Sequence, residues 1–171
     1  ILLTGATGFV GRQVHKALVA RGTEVRVVLR TGTGARLAAT AERIIETPDL
    51  FAEKAAWWSQ ACAGVDAVVH AAWYAEPGSY LHSPKNEDCL KGTLELTRGA
   101  IAARVRRFVG IGTCFEYDVA AGLLTTTTRL DPQTPSAAAK TDAFRALSQL
   151  LPARGVTFAW CRLFYLHGEG E

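Results

Sequence analysis

Residues 4–11 read Thr-Gly-Ala-Thr-Gly-Phe-Val-Gly and follow a short apolar run at residues 1–3. Gly5, Gly8 and Gly11 therefore lie between a predicted strand and a predicted helix. In that context the first glycine permits a tight turn, the second lets the main chain approach a ligand, and the third lets the helix pack closely on the strand. Because the amides of the first helical turn then face negative charge, the stretch predicts a diphosphate site. A glycine-rich loop without a ligand is the alternative.

Strands and helices alternate along the rest of the chain. Runs of β-branched and apolar residues predict the strands, and apolar residues at helical spacing predict the helices. This alternation predicts right-handed βαβ units, and hence an α/β fold with a doubly wound parallel sheet of Rossmann type over residues 1–171. The predicted strands cover residues 1–4, 24–30, 44–45, 65–71, 107–111 and 157–163, and the predicted helices cover residues 10–21, 51–62, 86–103 and 136–151.

Composition limits the class of protein. The chain is 49% hydrophobic and 20% charged, which is typical of a globular domain. A net charge of +3 with no run of Lys or Arg argues against binding to nucleic acid. No apolar segment is long enough to cross a membrane. The four cysteines form no Cys-x-x-Cys pair, which predicts reduced thiols in a cytoplasmic protein and no metal site.

The residues that follow the predicted strands are binding candidates, because ligands of parallel sheets lie beyond the carboxyl ends of the strands. Arg30 ends the second strand, where an acidic residue would bind a ribose 2′-hydroxyl. An arginine suits a 2′-phosphate instead and favours NADP over NAD. A solvated residue at a strand end is the alternative interpretation of Arg30.

Two further strand ends carry candidates. Asp49 and Leu50 follow the third strand and are placed to contact adenine, although a surface turn explains an aspartate after Pro48 nearly as well. His70 closes the fourth strand and is interpreted as a half-buried, hydrogen-bonded histidine rather than a catalyst. The small residues Ala71 and Ala72 would let the backbone run alongside a cofactor.

With these segments in view, the chain resembles the extended short-chain dehydrogenases/reductases of the NAD-dependent epimerase/dehydratase family, which act on nucleotide sugars. The resemblance implies a bound NAD or NADP, a nucleotide-sugar substrate and a homodimer. The matching segments keep the family's order over the whole chain: residues 4–11, 49–50, 68–72, 92–93, 107–117, 134–140 and 162–168. The cofactor-binding residues that we expect are Gly5, Thr7, Gly8, Phe9, Val10, Gly11, Arg30, Asp49, Leu50, Ala71, Ala72, Trp73, Lys140 and Phe164.

Such proteins carry a second, smaller lobe that binds the substrate. That lobe follows the point where this chain stops. The sequence also contains no methionine and begins within the first predicted strand. We therefore expect these 171 residues to be a portion of a longer protein.

Family members catalyse proton transfer with a Ser or Thr, a Tyr and a Lys. Thr113 matches the first position and Lys140 the last, but Ser136 occupies the tyrosine position. In the family the lysine lies one helical turn beyond the tyrosine, lowers its pKa and holds the nicotinamide ribose. A serine hydroxyl is too weak an acid for that role, and loss of a positioned acid or base lowers a rate on the order of 10²–10⁴-fold.

Three explanations of Ser136 follow from the sequence. A water bridges through Ser136, or another group such as Tyr117 or Tyr165 has replaced the phenol, or the protein binds its cofactor without turnover. Ser136 also suits the N-cap of the predicted helix, and Lys140 alone suits a solvated helix face.

Other departures narrow the reaction. Sugar 4,6-dehydratases of the family follow the threonine with an Asp-Glu pair that eliminates water, and here Cys114 and Phe115 stand at those positions. Epimerisation or ketone reduction fits better than elimination. Cys89 and Tyr165 stand where the family often has asparagine. No His-Asp arrangement supports Cys114 as a nucleophile.

The sequence therefore predicts an NAD(P)-dependent nucleotide-sugar epimerase or keto-reductase. A non-catalytic NADP-binding sensor or scaffold and a reductase of small carbonyl compounds are the alternatives. Two helices correspond to those that pair in family dimers, although their apolar residues equally suit a core; these residues are Leu90, Leu94, Thr97, Phe144 and Leu147.

Overall fold

A computed structural model describes residues 1–33 and 43–168 of the chain. Strands and helices alternate along these residues, as the sequence predicts. The elements are β1 (Leu2–Thr4), α1 (Phe9–Ala20), β2 (Arg26–Arg30), β3 (Arg43–Thr47), α2 (Ala55–Ala61), β4 (Ala67–His70), α3 (Lys85–Ala102), β5 (Arg107–Thr113), α4 (Pro135–Leu150) and β6 (Thr157–Leu163).

The strands of the described residues form one parallel sheet in the order β3-β2-β1-β4-β5-β6. The chain runs outward from β1 to β3, then crosses back to place β4 beside β1 and continues outward to β6. This topology confirms the doubly wound, Rossmann-type sheet. Because the direction of winding changes between β1 and β4, the crevice where such sheets bind ligands opens at their carboxyl ends.

Alternate residues of the central strands face two separate cores. Leu2 and Val28 pack with Trp58 and Phe108 on the face covered by α2, α3 and α4. Leu3, Val27 and Leu29 pack on the opposite face against α1, through residues that include Val14 and Leu18. Side chains of a strand alternate between its two faces. Two apolar residues in a row in β1 or β2 therefore contribute one side chain to each core.

Most predicted boundaries agree with the structure to within one or two residues, and α2 is the exception. It begins at Ala55, four residues later than predicted. The carboxylate of Asp49 accepts a hydrogen bond from the amide of Phe51 (2.9 Å), and the carbonyl of Asp49 accepts one from Ala52 (3.1 Å). These bonds hold the residues after β3 in a turn, because an aspartate side chain competes with the helix for backbone amides.

Most of the residues predicted to pair in a dimer pack inside the chain instead. Thr97 and Leu147 are fully buried, and Leu94 packs on the core. Phe144 stacks on Phe158. Of the predicted set, these four residues therefore belong to intramolecular packing. Among the described helices, none combines the length and the apolar character needed to cross a lipid bilayer.

Candidate functional site

The glycine turn after β1 is built by close backbone contacts. Gly5 has a φ of +75°, and its carbonyl accepts a hydrogen bond from the amide of Gly8 (3.0 Å). A Cβ on Gly5 would lie 2.6 Å from the amide nitrogen of Ala72, and a Cβ on Gly11 would overlap the carbonyl of Gly5. Both positions therefore require glycine, one for the turn and the approach to β4, the other for the approach of α1 to β1.

Gly8 lies in a different setting. A Cβ placed there would meet only the carbonyl oxygen of Gly5, at 3.4 Å. The backbone of Gly8 has extended dihedrals that any residue can adopt, with φ −80° and ψ 170°. The protein itself therefore has space for a side chain at Gly8, and this space is part of a cavity.

This cavity, which we call the loop cavity, has a volume of about 550 Å³ and opens at the carboxyl ends of β1, β2 and β4. Its walls bring together most of the predicted cofactor-binding residues, which are Gly5, Thr7, Gly8, Phe9, Val10, Gly11, Arg30, Leu50, Ala71, Ala72 and Trp73. Asp49 is not part of the wall, since its carboxylate faces the amide of Phe51. The next residue, Leu50, lines the loop cavity instead of Asp49.

The N-terminus of α1 lies at the loop cavity and carries no acid of its own. Among the described residues no side chain caps Gly8, the N-cap residue, and the first turn of α1 contains no acidic residue. The amides of Phe9, Val10 and Gly11 belong to the first turn of a helix, which has no intrahelical acceptor for them. Free amides and the positive end of the helix dipole suit a diphosphate, so the residues present fit a dinucleotide.

Arg30 lies at the exposed end of β2 and lines the loop cavity. Its carbonyl accepts hydrogen bonds from the amide (3.0 Å) and the hydroxyl (2.6 Å) of Thr33, which fix the turn that follows the strand. Arg30 thus belongs to the wall of the cavity, and its guanidinium is the type of group that suits a phosphate on a ribose.

A second, smaller cavity of about 130 Å³ adjoins the loop cavity and shares Trp73 and Ala75 with it. We call it the corner cavity. Its wall includes Thr113, from the end of β5, together with Ser136 and Lys140, from the first two turns of α4. The three predicted catalytic residues thus share one small space next to the predicted cofactor site.

Lys140 is held on two sides. Its Nζ donates a hydrogen bond to the carbonyl of Ile111 (2.8 Å) and lies 4.3 Å from the centre of the Trp73 ring. Burial lowers the pKa of Lys140 to about 8, against the charge of Glu116, which acts to raise it. A solvated helix lysine, the alternative that the sequence allowed, does not describe this side chain.

Thr113 is fixed by a capping box that was not predicted from the sequence. Its hydroxyl accepts a hydrogen bond from the amide of Phe115 (3.3 Å), and its amide donates to the carboxylate of Glu116 (2.8 Å). Glu116 is fully buried, and Arg162 (2.8 Å) and Trp160 (3.1 Å) also donate to it. The Thr-x-x-Glu spacing at residues 113–116 was the available signal.

Ser136 is not the N-cap of α4. Thr134 has that role, with its hydroxyl accepting from the amide of Ala137 (3.2 Å), and Pro135 is the first helical residue. Pro is favoured at the first helical position, which moves Ser136 one residue into the helix. Ser136 is 4% exposed, and its amide donates to the carbonyl of Leu81 (3.0 Å).

Neither tyrosine named as a substitute for the missing phenol lines the corner cavity. Tyr117 is 5% exposed, and its hydroxyl lies 3.4 Å from an Arg162 nitrogen. Tyr165 is 75% exposed and lines a third cavity of about 320 Å³, the exit cavity, together with Thr113 and Phe164. The predicted cofactor residue Phe164 therefore lies in the exit cavity, which meets the loop cavity at Phe9.

His70 is structural, as expected, but it is fully rather than half buried. Its two ring nitrogens lie 2.8 Å from the hydroxyl of Thr4 and 2.9 Å from the hydroxyl of Thr93. Burial, with a smaller contribution from the charge of Lys140, lowers the pKa of His70 to about 3. His70 is therefore neutral over the physiological range and holds β1, β4 and α3 together.

Cys89, at a position where the family often has asparagine, is a buried thiol. Its Sγ accepts a hydrogen bond from the amide of Tyr74 (3.3 Å). Burial raises the pKa of Cys89 to about 11, so the thiol stays protonated at neutral pH.

Comparisons with known proteins show the family and the fold of the chain. The sequence profile described as the NAD dependent epimerase/dehydratase family matches residues 1–171. A short-chain dehydrogenase/reductase superfamily protein from Agrobacterium tumefaciens with bound NAD is 27% identical, with a TM-score of 0.74 over 94% of this chain and 48% of that one. The UDP-glucose 4-epimerase of Thermus thermophilus in complex with NAD is 25% identical, with a TM-score of 0.80 over 98% of this chain and 58% of that one.

A third structure supports the fold alone. The UDP-N-acetylglucosamine 4-epimerase of Methanobrevibacter ruminantium is 18% identical, with a TM-score of 0.79 over 94% of this chain and 53% of that one. No functionally curated protein matches the chain. The chain spans about half the length of the structures that it matches.

Proposed function

The chain belongs to the NAD-dependent epimerase/dehydratase family, and on that basis we propose that it is the nucleotide-binding part of an NAD(P)-dependent nucleotide-sugar epimerase or keto-reductase. The observation that carries this proposal is the loop cavity. It joins a glycine turn, an uncapped helix N-terminus and the ends of β1 and β4 in one space of about 550 Å³. A dinucleotide is the ligand that such a space suits.

Each part of the loop cavity has a task in this proposal. The amides after Gly8 bind the diphosphate, and Gly5 and Gly11 let the backbone come close enough to do so. Leu50 contacts the adenine. Arg30 binds a 2′-phosphate and so favours NADP, although the related structures named above contain NAD.

The corner cavity supplies the proton chemistry. A bound nicotinamide would supply hydride transfer to and from a carbinol carbon of the sugar. Thr113 donates a hydrogen bond to the substrate oxygen, and the cationic Lys140 stabilises negative charge beside it. Cys114 and Phe115 offer no acid or base for elimination of water, so epimerisation or ketone reduction is the proposed reaction.

The related structures and the cysteines support the proposed substrate and location. The substrate is a nucleotide sugar because solved relatives, named for UDP-glucose and UDP-N-acetylglucosamine, share the fold. We place the protein in the cytoplasm, where thiols stay reduced, because all four cysteines are free. A homodimer remains part of the proposal, with Leu90 on α3 as the residue of the predicted set outside the packing described above.

Titration with NAD and NADP tests the proposal directly. We expect saturable binding of at least one dinucleotide, measured by calorimetry, and reduction of the bound dinucleotide when UDP-glucose, UDP-N-acetylglucosamine or dTDP-glucose is added. Absence of binding by a folded protein would refute the proposal.

A second function is favoured by Ser136 alone. A protein that binds the dinucleotide without turnover, as a sensor or scaffold, needs no phenol in the corner cavity. The Ser136→Tyr variant separates the two functions. Activity that appears only in the variant indicates a natural binder, whereas activity in both proteins indicates that another group transfers the proton.

A further inference from the structure

The segment between β4 and α3 brings a tyrosine to the place where Ser136 lacks one. Tyr80 lines the corner cavity together with Thr113, Ser136 and Lys140. It also lines the exit cavity, again beside Thr113. The carbonyl of Leu81, the next residue along the chain, accepts the hydrogen bond from the amide of Ser136 (3.0 Å).

The backbone around Tyr80 is fixed by buried groups. Asn86 is 1% exposed, and its side-chain amide donates to the carbonyls of Tyr80 (2.6 Å) and Ser83 (2.9 Å). The side-chain oxygen of Asn86 accepts from the indole of Trp73 (2.8 Å), whose ring faces Lys140. One buried asparagine therefore ties the Tyr80 segment to both the loop cavity and the corner cavity.

Two tyrosines line the corner cavity, Tyr74 and Tyr80, and they differ in what their hydroxyls contact. The hydroxyl of Tyr74 is paired with Ser79 (3.1 Å), and that of Tyr117 lies beside Arg162 outside the corner cavity. Tyr165 lies in the exit cavity, away from Ser136 and Lys140. The hydroxyl of Tyr80, by contrast, has no hydrogen-bond partner among the described residues, so it is free to bind a substrate oxygen.

From these contacts we propose that Tyr80 is the catalytic acid and base that replaces the missing phenol; this rests on the proposed function. In the oxidation step the C–H bond of a carbinol breaks, and its hydrogen leaves as hydride to the nicotinamide, which is the oxidant. The O–H bond breaks at the same carbinol, and its proton goes to the phenolate oxygen of Tyr80. The products are a ketone, a reduced nicotinamide and a neutral phenol, and the return step reverses each transfer.

The neighbouring residues give Tyr80 what this chemistry needs. Lys140 places a positive charge on the wall of the same cavity of about 130 Å³, and Thr113 offers a hydroxyl there. Ser136, with a short side chain, leaves the space into which the phenol of Tyr80 and a sugar hydroxyl would fit.

The test compares Tyr80→Phe, which removes one hydroxyl, with Tyr117→Phe, which removes a hydroxyl outside the corner cavity. With the protein loaded with its dinucleotide and supplied with UDP-glucose, UDP-N-acetylglucosamine or dTDP-glucose, we expect Tyr80→Phe to lower kcat on the order of 10²–10⁴-fold. KM and the Kd of the dinucleotide should change little, because the lost hydroxyl acts on the proton and not on binding. Tyr117→Phe should keep kcat within a few-fold of the parent protein.

Two further measurements keep the proposal falsifiable. Adding Ser136→Tyr to Tyr80→Phe should restore part of the lost rate, since it returns a phenol beside Lys140. Independently of turnover, nitration of Tyr80 by tetranitromethane, located by peptide mass spectrometry, should slow when the nucleotide sugar joins the dinucleotide. Unchanged nitration would overturn the proposal.

The outcomes distinguish this proposal from the proposed function. If Tyr80→Phe retains the parent kcat, or if turnover appears only after Ser136→Tyr, Tyr80 is not the acid and base, while the dinucleotide-dependent function stands. If the dinucleotide binds but no protein, including Ser136→Tyr, converts any of the three sugars, the sugar reaction fails and Tyr80 fails with it. If no dinucleotide binds, the whole assignment falls.

Discussion

The loop cavity and the corner cavity are adjacent, yet they are built from different parts of the chain. The loop cavity is arranged around a glycine turn, where Gly5 and Gly11 permit backbone contacts that no other residue would allow. The corner cavity brings together three polar side chains, those of Thr113, Ser136 and Lys140. Backbone geometry tolerates no exchange at Gly5 or Gly11, whereas a single exchange at position 136 removes the family's phenol and leaves the fold intact.

The largest effect should come from the backbone of the loop cavity. Gly11→Ala places a Cβ over the carbonyl of Gly5, and neither backbone can move without separating α1 from β1. We expect a loss of more than about 4 kcal/mol in the free energy of unfolding, together with loss of dinucleotide binding. Urea unfolding and calorimetric titration measure the two effects.

Gly8→Ala is the matched control for Gly11→Ala. Its Cβ meets only one atom, at 3.4 Å, but it enters the loop cavity where the diphosphate would lie. This variant should keep the parent stability to within about 1 kcal/mol and still lose dinucleotide affinity. Equal stability loss in both variants would contradict the distinction between a packing glycine and a binding glycine.

The free energy of unfolding should depend on pH through the buried histidine that ends β4. His70 bonds to Thr4 below the loop cavity and carries a pKa of about 3, lowered from 6.5. The unfolded chain therefore binds more protons than the folded one between these values, and stability falls as the pH drops through this range. From the shift we expect a loss of about 3 kcal/mol as the pH falls from 6.5 towards roughly 4.

Urea unfolding across this pH range, compared between the parent protein and His70→Gln, measures the contribution of His70. The variant should lose most of the pH dependence, because glutamine does not titrate. His82→Gln, at an exposed histidine, should leave the profile unchanged. A parent profile that is flat between pH 6.5 and 4 would show that His70 is protonated in the fold.

Side-chain chemistry in the corner cavity should be sensitive to a single charge. Lys140→Met removes the cation and keeps much of the volume, so we expect kcat to fall on the order of 10²-fold while the fold persists. In the parent protein the rate should also fall as the pH rises through about 8, where Lys140 loses its proton. Steady-state kinetics against pH provide both results.

Lys91→Met is the control for Lys140→Met, since the Lys91 side chain is 68% exposed on α3. It should leave both the rate and its pH profile unchanged. The fold should not depend on Lys140. Burial of its charge costs free energy, and an apolar side chain at this position would not incur that cost. A marked loss of stability in Lys140→Met would instead indicate that the bond to Ile111 outweighs that cost.

The same contrast explains which features the sequence could predict. The glycine turn and the parallel sheet were predicted correctly because close backbone contact requires glycine at fixed spacing, and buried strands require apolar runs. The start of α2 was predicted four residues too early, because hydrogen bonds to Asp49 hold the residues before Ala55 in a turn.

The side chains that support the residues of the corner cavity could not be predicted from the sequence. Glu116 joins Trp160 and Arg162, which lie 44 and 46 residues further along the chain, so no local pattern indicates their contact. Tyr80 lines the cavity from a segment whose backbone is held by buried Asn86, a contact that no local pattern indicates. Thr113 and Lys140 were found through resemblance to a family, and Ser136 was noticed because it departs from that family.

The smallest effect should come from Arg30, a cationic side chain on the wall of the loop cavity. Arg30→Gln removes a charge-assisted bond to a ribose 2′-phosphate, so we expect about a 10-fold loss of affinity for NADP and none for NAD. Because Arg30 is exposed, solvent weakens this charge-assisted bond, and the loss of affinity is small for a bond of this type. Arg21→Gln, an equal change of charge at the exposed end of α1, controls for net charge and should alter neither affinity. Equal weakening of NAD and NADP by Arg30→Gln would mean that the side chain contacts the common part of the two ligands, and the selectivity of the loop cavity would then reside in its backbone.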